Sequence, residues 1–265
     1  MSAAVLPAAF IWRRIHSLMG LWLVLFLSEH LLTNSQAALW IGDNGAGFVR
    51  MVDMIHNLPY LHVIELSLIG VPLLIHMVWG IKYALQGKMN SFRGNGTSPV
   101  IKTYRNRAYS WQRITSWFLL VFIIGHVVKF RFLEYPEQRK VEGQVHYIVS
   151  VSQDPRLPSL AEKLQVLLYE EKGEWFAESD KFGTATLLSV RDTFKNPFYV
   201  ALYTLFVMAA CFHAYNGFWT FLITWGWVLK MSAQRAWTLV SICLIGLFIF
   251  LGLSAVWGSY FFGGS

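Results

Sequence analysis

Apolar residues along this chain gather in five long runs, near 15–38, 58–84, 112–132, 198–229 and 236–261, parted by polar stretches that carry most of the charge. Crossing about 30 Å of hydrocarbon takes roughly 20 apolar residues in a helix, so each run predicts one transmembrane helix. The pattern predicts an all-α membrane protein: a single domain over 1–265 whose five helices form one bundle.

The polar stretches orient it. Between the second and third runs lies a connection with Lys88, Arg93, Gly94, Gly96, Lys102, Arg105 and Arg107 and no acid. Arg13 and Arg14 before the first run, and Lys230 and Arg235 between the fourth and fifth, fall on the same side by alternation. Short basic connections stay in the cytoplasm, which predicts a cytoplasmic N-terminus and an external C-terminus. The other side receives a short link with Asp43, Arg50 and Asp53 and one long outer segment of about 133–196. That segment mixes acids with bases and carries Pro136, Pro155 and Pro158 as breakers. It reads either as a folded cap with a short helix over 160–171 or as a solvated insertion.

Composition narrows the class. At 55% hydrophobic and 14% charged, 265 residues hold too few charges to clothe a water-soluble globule. The net charge of +7 follows the membrane sidedness and gives no reason to expect nucleic acid. Both cysteines, Cys211 and Cys243, lie in apolar runs, which argues against a disulfide framework or a thiolate metal site. Arg13 and Arg14 follow the apolar 3–11 stretch instead of preceding it, so no cleavable signal is expected.

Four histidines fall deep inside the runs, and an ionisable ring in lipid is a functional hypothesis that needs a partner. At 1.5 Å per residue, alternation places His30 and His126 in the outer half of the membrane and His76 and His213 in the inner half. Each level draws on two different helices. Two imidazoles facing each other, twice over, is what two bis-histidine haems stacked across a bilayer require. Gly80 and Gly217 each follow a histidine by one turn, and Gly125 precedes His126, leaving space for a macrocycle. Singly, any of these histidines reads as an interhelical hydrogen-bonder with no haem implied. A rival quartet pairs His16 with His76 and His30 with His62, since His16 and His30, like His62 and His76, stand nearly four turns apart. His16 and His62 lie at membrane boundaries, however, and that choice leaves His126 and His213 unexplained.

Arg13, Arg14, His16 and Arg113 gather at the inner surface, where they either bind the propionates of the inner haem or simply mark the cytoplasmic side. Lys129 and Arg131 have the same two readings at the outer level, as propionate partners or outward-reaching bases. Glu29 and Glu65 read as proton relays to a quinone or as hydrogen-bonders near the outer surface.

With Arg13-Arg14-Ile15-His16-Ser17-Leu18, Glu29-His30-Leu31, His76, His126 and His213 in place, the chain resembles the dihaem cytochrome b anchor of succinate dehydrogenases and fumarate reductases, the single five-helix type. The resemblance implies two haem b groups, the inner one ligated from the second and fourth helices and the outer one from the first and third. It implies flavoprotein and iron-sulfur partner subunits on the cytoplasmic side, a membrane quinone (menaquinone) as substrate, and a bacterial inner membrane. Electrons would pass between the iron-sulfur centres and the quinone. The chain departs from relatives that carry protons on a glutamate two residues before the fourth-helix histidine, because Cys211 stands there. No flavin fingerprint occurs, so this subunit is expected to bind no dicarboxylate. A haem b subunit of a formate dehydrogenase or hydrogenase, and a haem-free transporter or assembly protein, are the alternatives.

Overall fold

A computed structural model describes residues 6–38, 42–87, 91 and 100–263; of the basic connection, Lys88, Arg93, Gly94 and Gly96 lie outside them. The chain runs through α1 (Ala8–Ser35), a short α2 (Ala46–His56), α3 (Leu61–Gln86) and α4 (Tyr104–Leu133). Then come β1 (Glu137–Val141), β2 (Gln144–Ser150), α5 (Leu157–Leu164), β3 (Leu167–Glu171), β4 (Glu174–Ser179) and α6 (Phe182–Phe194), and finally α7 (Pro197–Thr224) and α8 (Met231–Gly263). Among the described residues, α1, α3, α4, α7 and α8 are long and apolar enough to cross a membrane, and the protein is a multi-pass membrane protein. α1 and α4 start earlier than their apolar runs, at Ala8 and Tyr104, and so carry Arg13, Arg14, Arg105 and Arg107 on helix. Apolarity marks only the hydrocarbon-spanning part, whereas backbone hydrogen bonding continues into the interface.

The chain divides into two compact units. The first holds residues up to Ser28, His62–Val121 and Ala209–Leu247. In it α1 and α3 pack antiparallel: Trp12 stacks on Trp79 with ring centres 3.9 Å apart, and Trp22 Nε1 donates to the Leu68 carbonyl at 2.5 Å. That carbonyl needs an outside donor because Pro72, four residues on, has no N–H to give it. The same turn widens to a π-helix over Leu66–Gly70. α3 stops at Gly87, where the Arg113 guanidinium donates to the last-turn carbonyls of Tyr83 and Ala84 at 3.0 and 3.4 Å. A side chain at Gly87 would overlap that guanidinium.

The second unit holds Glu29–Leu61, Phe122–Met208 and the residues from Phe248 on. Here the all-α expectation needs correction, since the 133–196 segment folds around a four-stranded antiparallel sheet of order β1-β2-β4-β3. The helix expected over 160–171 ends at Leu164, and Leu167–Glu171 is strand. The physical reason lies in the turns. Glu142-Gly143 and Lys172-Gly173 both take positive φ, at 50° and 87° and at 55° and 85°, as a two-residue hairpin turn of matching twist demands. One face of the sheet closes on α5 and α6 through Val149, Leu157, Leu160, Ala177 and Leu188. The opposite flank of α6, through Leu187, Val190 and Phe194, shares a core with Phe48 and Val49 of α2 and with Tyr203 of α7. The segment is therefore a folded cap continuous with its unit. Asp53 of α2 strengthens the join by accepting the Gly183 N–H at 2.7 Å in the first turn of α6.

A buried charge cluster ties the cap together. Arg191, 1% exposed, donates two hydrogen bonds to Asp154 at 2.8 and 2.9 Å, and Lys195 reaches the same carboxylate at 2.6 Å. Burial alone would raise the Asp154 pKa, but the hydrogen bonds and charges of Arg191 and Lys195 outweigh it and hold the carboxyl below its ordinary 3.8. A carboxyl depressed in the folded state stabilises the fold above the unfolded value and loses that contribution as pH falls through the folded one. Protease cleavage within 150–195 should accelerate below about pH 3.8 and change little between pH 5 and 8 on this group's account. Asp154→Asn should cleave faster at neutral pH while losing this acid-dependent step.

Candidate functional site

Each unit contains one face-to-edge pair of deep histidines drawn from two helices. In the first, His76 of α3 and His213 of α7 have ring centres 6.3 Å apart at 86°. In the second, His30 of α1 and His126 of α4 have centres 5.8 Å apart at 87°. Two imidazoles bound to one metal from opposite sides, each with a metal–nitrogen bond of about 2 Å, place their ring centres roughly 6 Å apart. Both pairs have that spacing. Among the described residues no group of three or more His, Cys, Asp or Glu could hold a bare metal ion, whereas a macrocyclic iron brings its other four ligands with it.

Hydrogen bonds set the rings of the first pair. His76 Nδ1 lies 3.1 Å from the carbonyl of His16, and His213 Nδ1 lies 3.2 Å from the carbonyl of Gln112. A carbonyl only accepts, so each Nδ1 carries the proton and each Nε2 keeps a lone pair free to ligate. Gln112 grips the same neighbour a second way: its Nε2 donates to the His213 carbonyl at 2.9 Å and its Oε1 accepts from Asn216 Nδ2 at 2.8 Å. Thr115 Oγ1 is 3.4 Å from His213 Nδ1.

His16 also touches His76, but differently. The two rings stack with centres 4.2 Å apart and planes 10° from parallel, which presents π faces to each other and leaves no room for a metal between nitrogens. Tyr83 meets His16 edge-on at 5.3 Å, and His16 Nε2 is buried with no hydrogen-bond partner among the described residues. Two glycines permit this packing reciprocally. A Cβ on Gly20 of α1 would fall 2.8 Å from His76 Cε1, and one on Gly80 of α3 would fall 3.6 Å from His16 Nε2. Gly20 stands one turn beyond His16, the same spacing in the sequence that marks Gly80 and Gly217 beyond their histidines. A Cβ on Gly217 would contact Gln112 Nε2 at 3.4 Å, and one on the exposed Gly125 would meet nothing within 4 Å.

In the second pair, His126 Nδ1 is 3.2 Å from the Tyr203 hydroxyl, and Phe130 and Phe206 lie around the ring at 5.4 and 5.7 Å. Asn34 Nδ2 donates to the His30 carbonyl at 2.7 Å and sits 3.5 Å from its Nδ1. Tyr203 and Gln112 were not anticipated, because nothing in the spacing of an apolar run marks which polar residue will face a histidine. The rival ligand His62 has a side chain 81% exposed, 3.6 Å from Glu65.

The basic residues are dispersed. Arg13 is exposed, and Arg14 lies over the rings of Phe10 and Trp225 at 4.9 and 5.1 Å. Arg113 is 9% exposed, sits over Tyr109 at 4.9 Å, and has Nη1 buried without a hydrogen-bond partner among the described residues. Lys129 pairs with Glu134 and lies 4.3 Å from the centre of the Tyr199 ring, while Arg131 lies 4.7 Å from that of Tyr135. Glu29 accepts from Thr33 Oγ1 at 2.7 Å.

Comparison with known proteins adds one relative. The chain is 26% identical over 248 residues to the succinate dehydrogenase cytochrome b558 subunit of Bacillus subtilis (strain 168), covering 93% of this chain and 95% of that protein. No protein-family model matches the chain. No solved structure matches it.

Proposed function

We infer that this chain is the cytochrome b membrane anchor of a succinate:quinone oxidoreductase, and that it carries two b haems, one ligated by His76 and His213 and the other by His30 and His126. Similarity to the Bacillus subtilis subunit along nearly the whole chain supports the anchor role. The observation that carries the ligand assignment is the spacing of the two histidine pairs, 6.3 and 5.8 Å between ring centres on four different helices.

A bound b haem supplies one-electron transfer. The chain's own residues supply position. His76 and His213 are held in the tautomer that leaves Nε2 unprotonated by the main-chain carbonyls of His16 and Gln112. Buried polar atoms seldom lack partners, and among the described residues both His16 Nε2 and Arg113 Nη1 do; a propionate of the first unit's haem would satisfy them. Arg13 and Arg14, exposed or set on aromatic rings, serve instead to mark the cytoplasmic face.

Sidedness follows from charge. Within the sequence ranges of the first unit Glu65 is the only acid, against Arg13, Arg14, Lys102, Arg105 and Arg107 among the bases. The ends of the helices that carry these bases are turned to the cytoplasm, where iron-sulfur and flavoprotein subunits dock. Moving an electron between the two haems then crosses part of the membrane potential, worth about 2.3 kcal/mol per 100 mV for a full crossing. Menaquinone is the quinone that the family resemblance implies, and a bacterial cytoplasmic membrane suits a chain similar to the Bacillus protein.

Purified with its partners, the chain should give a reduced-minus-oxidised b-type spectrum, two haems per chain by the pyridine assay, and a co-purifying flavoprotein. Absence of any b-type signal would remove this reading.

A further inference from the structure

The nearest partner of Nδ1 is of one kind for His76 and His213 in the first unit and of another for His126 in the second. In the first, the nearer partner of both Nδ1 atoms is a main-chain carbonyl, of His16 at 3.1 Å and of Gln112 at 3.2 Å, which no side-chain substitution at those positions removes; the Thr115 hydroxyl stands farther from His213 Nδ1, at 3.4 Å. In the second, His126 Nδ1 faces a side-chain hydroxyl, Tyr203 Oη, at 3.2 Å. Tyr203 is 9% exposed and fixed on several sides: Phe194, Phe206 and Phe130 set rings against it at 5.2, 5.8 and 6.1 Å, and it belongs to the core shared by α2, α6 and α7. A phenol so enclosed has little freedom to leave the imidazole.

We propose that Tyr203 is the positioning residue of the His126 ligand and sets the reduction potential of the haem it binds, independently of the other haem. The inference rests on His126 being an axial ligand. When Nε2 is committed to iron, Nδ1 must carry the proton and Tyr203 Oη accepts it. Donation from Nδ1 adds negative character to the ring, raises ligand basicity and favours ferric over ferrous iron. A phenol oxygen accepts less strongly than a main-chain carbonyl, so the two units apply this influence to different degrees. The cap enters here as well, because Phe194 of α6 is one of the rings that hold Tyr203. The folded cap therefore stands behind the ligand that sits under it, through one shared aromatic side chain.

The test compares two hydroxyl deletions on one helix. Tyr203→Phe removes the hydroxyl that faces His126. Tyr215→Phe removes a second enclosed hydroxyl of α7, which meets Ser28 Oγ at 2.9 Å. Both are made in the complex purified with its partner subunits and read by potentiometric titration of the b-haem bands and by low-temperature EPR. Tyr203→Phe should keep two haems per chain and raise one potential by roughly tenfold in the one-electron equilibrium constant, about 59 mV, with the other unmoved. Tyr215→Phe should move neither. Loss of one haem alone from Tyr203→Phe, with Tyr215→Phe intact, also supports the inference. It is overturned if Tyr203→Phe leaves both potentials and both EPR signals unchanged, shifts both haems alike, or is matched by Tyr215→Phe. Absence of haem from the unsubstituted complex would instead defeat the reading on which it rests.

Discussion

A His213→Ala variant is expected to hold one b haem per chain where the unsubstituted protein holds two. The substitution removes the ring that stands 6.3 Å from His76, and with it the only imidazole of α7. It also strips the Gln112 carbonyl of the Nδ1–H it accepts at 3.2 Å. A haem left with His76 alone has lost half its axial ligation, a larger loss than the roughly 10–100-fold in affinity that follows from removing an outer-shell partner. The pair in the second unit shares no residue with this one, so its haem should remain, with its spectrum and potential little changed. The pyridine assay gives the stoichiometry and EPR shows which signal survives. Retention of both haems would return the choice to the quartet built on His16 and His62. Against that quartet stand the parallel stacking of His16 on His76 and the exposure of His62. His16→Ala should accordingly keep two haems, with at most a weakened hold on one of them.

What could be read from the sequence, and what could not, divides along a physical line. A membrane helix needs one long apolar run, and the chain supplies five, so the spanning helices are legible in the sequence. The helix ends were not, because Arg13, Arg14, Arg105 and Arg107 extend the helices past the hydrocarbon on side chains that hydropathy counts as loop. The sheet was not read either. Strands such as Glu137–Val141, exposed along their whole length, carry no apolar alternation. The usable signal lay in the turns, where Glu142-Gly143 and Lys172-Gly173 sit between strand-forming residues. In the sequence α2 shows only as a short link, although Phe48 and Val49 bury one face of it against α6. Around the histidines the sequence supplies candidates without neighbours. That Gln112 and Tyr203 face His213 and His126 depends on how α4 and α7 are rotated, and an apolar run of nearly uniform character does not specify rotation.

Gly20→Ala is the change in which the smallest alteration should have the largest reach. In a helix interior alanine is favoured over glycine by roughly 1 kcal/mol, so on backbone grounds α1 should gain from it. The new methyl would nevertheless lie 2.8 Å from His76 Cε1, closer than a methyl carbon approaches without bonding, and a tight 3.1 Å from its Nδ1. The ring has to move away from α1, and in doing so it stretches the Nδ1 bond to the His16 carbonyl that fixes its tautomer. A metal–nitrogen bond of about 2 Å tolerates little displacement, and affinity for the first unit's haem should fall on the order of 10–100-fold. Gly246→Ala in α8, where a Cβ meets nothing within 4 Å, supplies the comparison and should keep both haems. The expected result for Gly20→Ala is a normally assembled complex that loses one haem on dilution or mild detergent challenge while the His30–His126 haem persists. A Gly20→Ala complex that kept both haems under that challenge would mean that His76 does not depend on α1 for its position. Collapse of the whole complex would mean that the glycine serves helix packing more than the ligand.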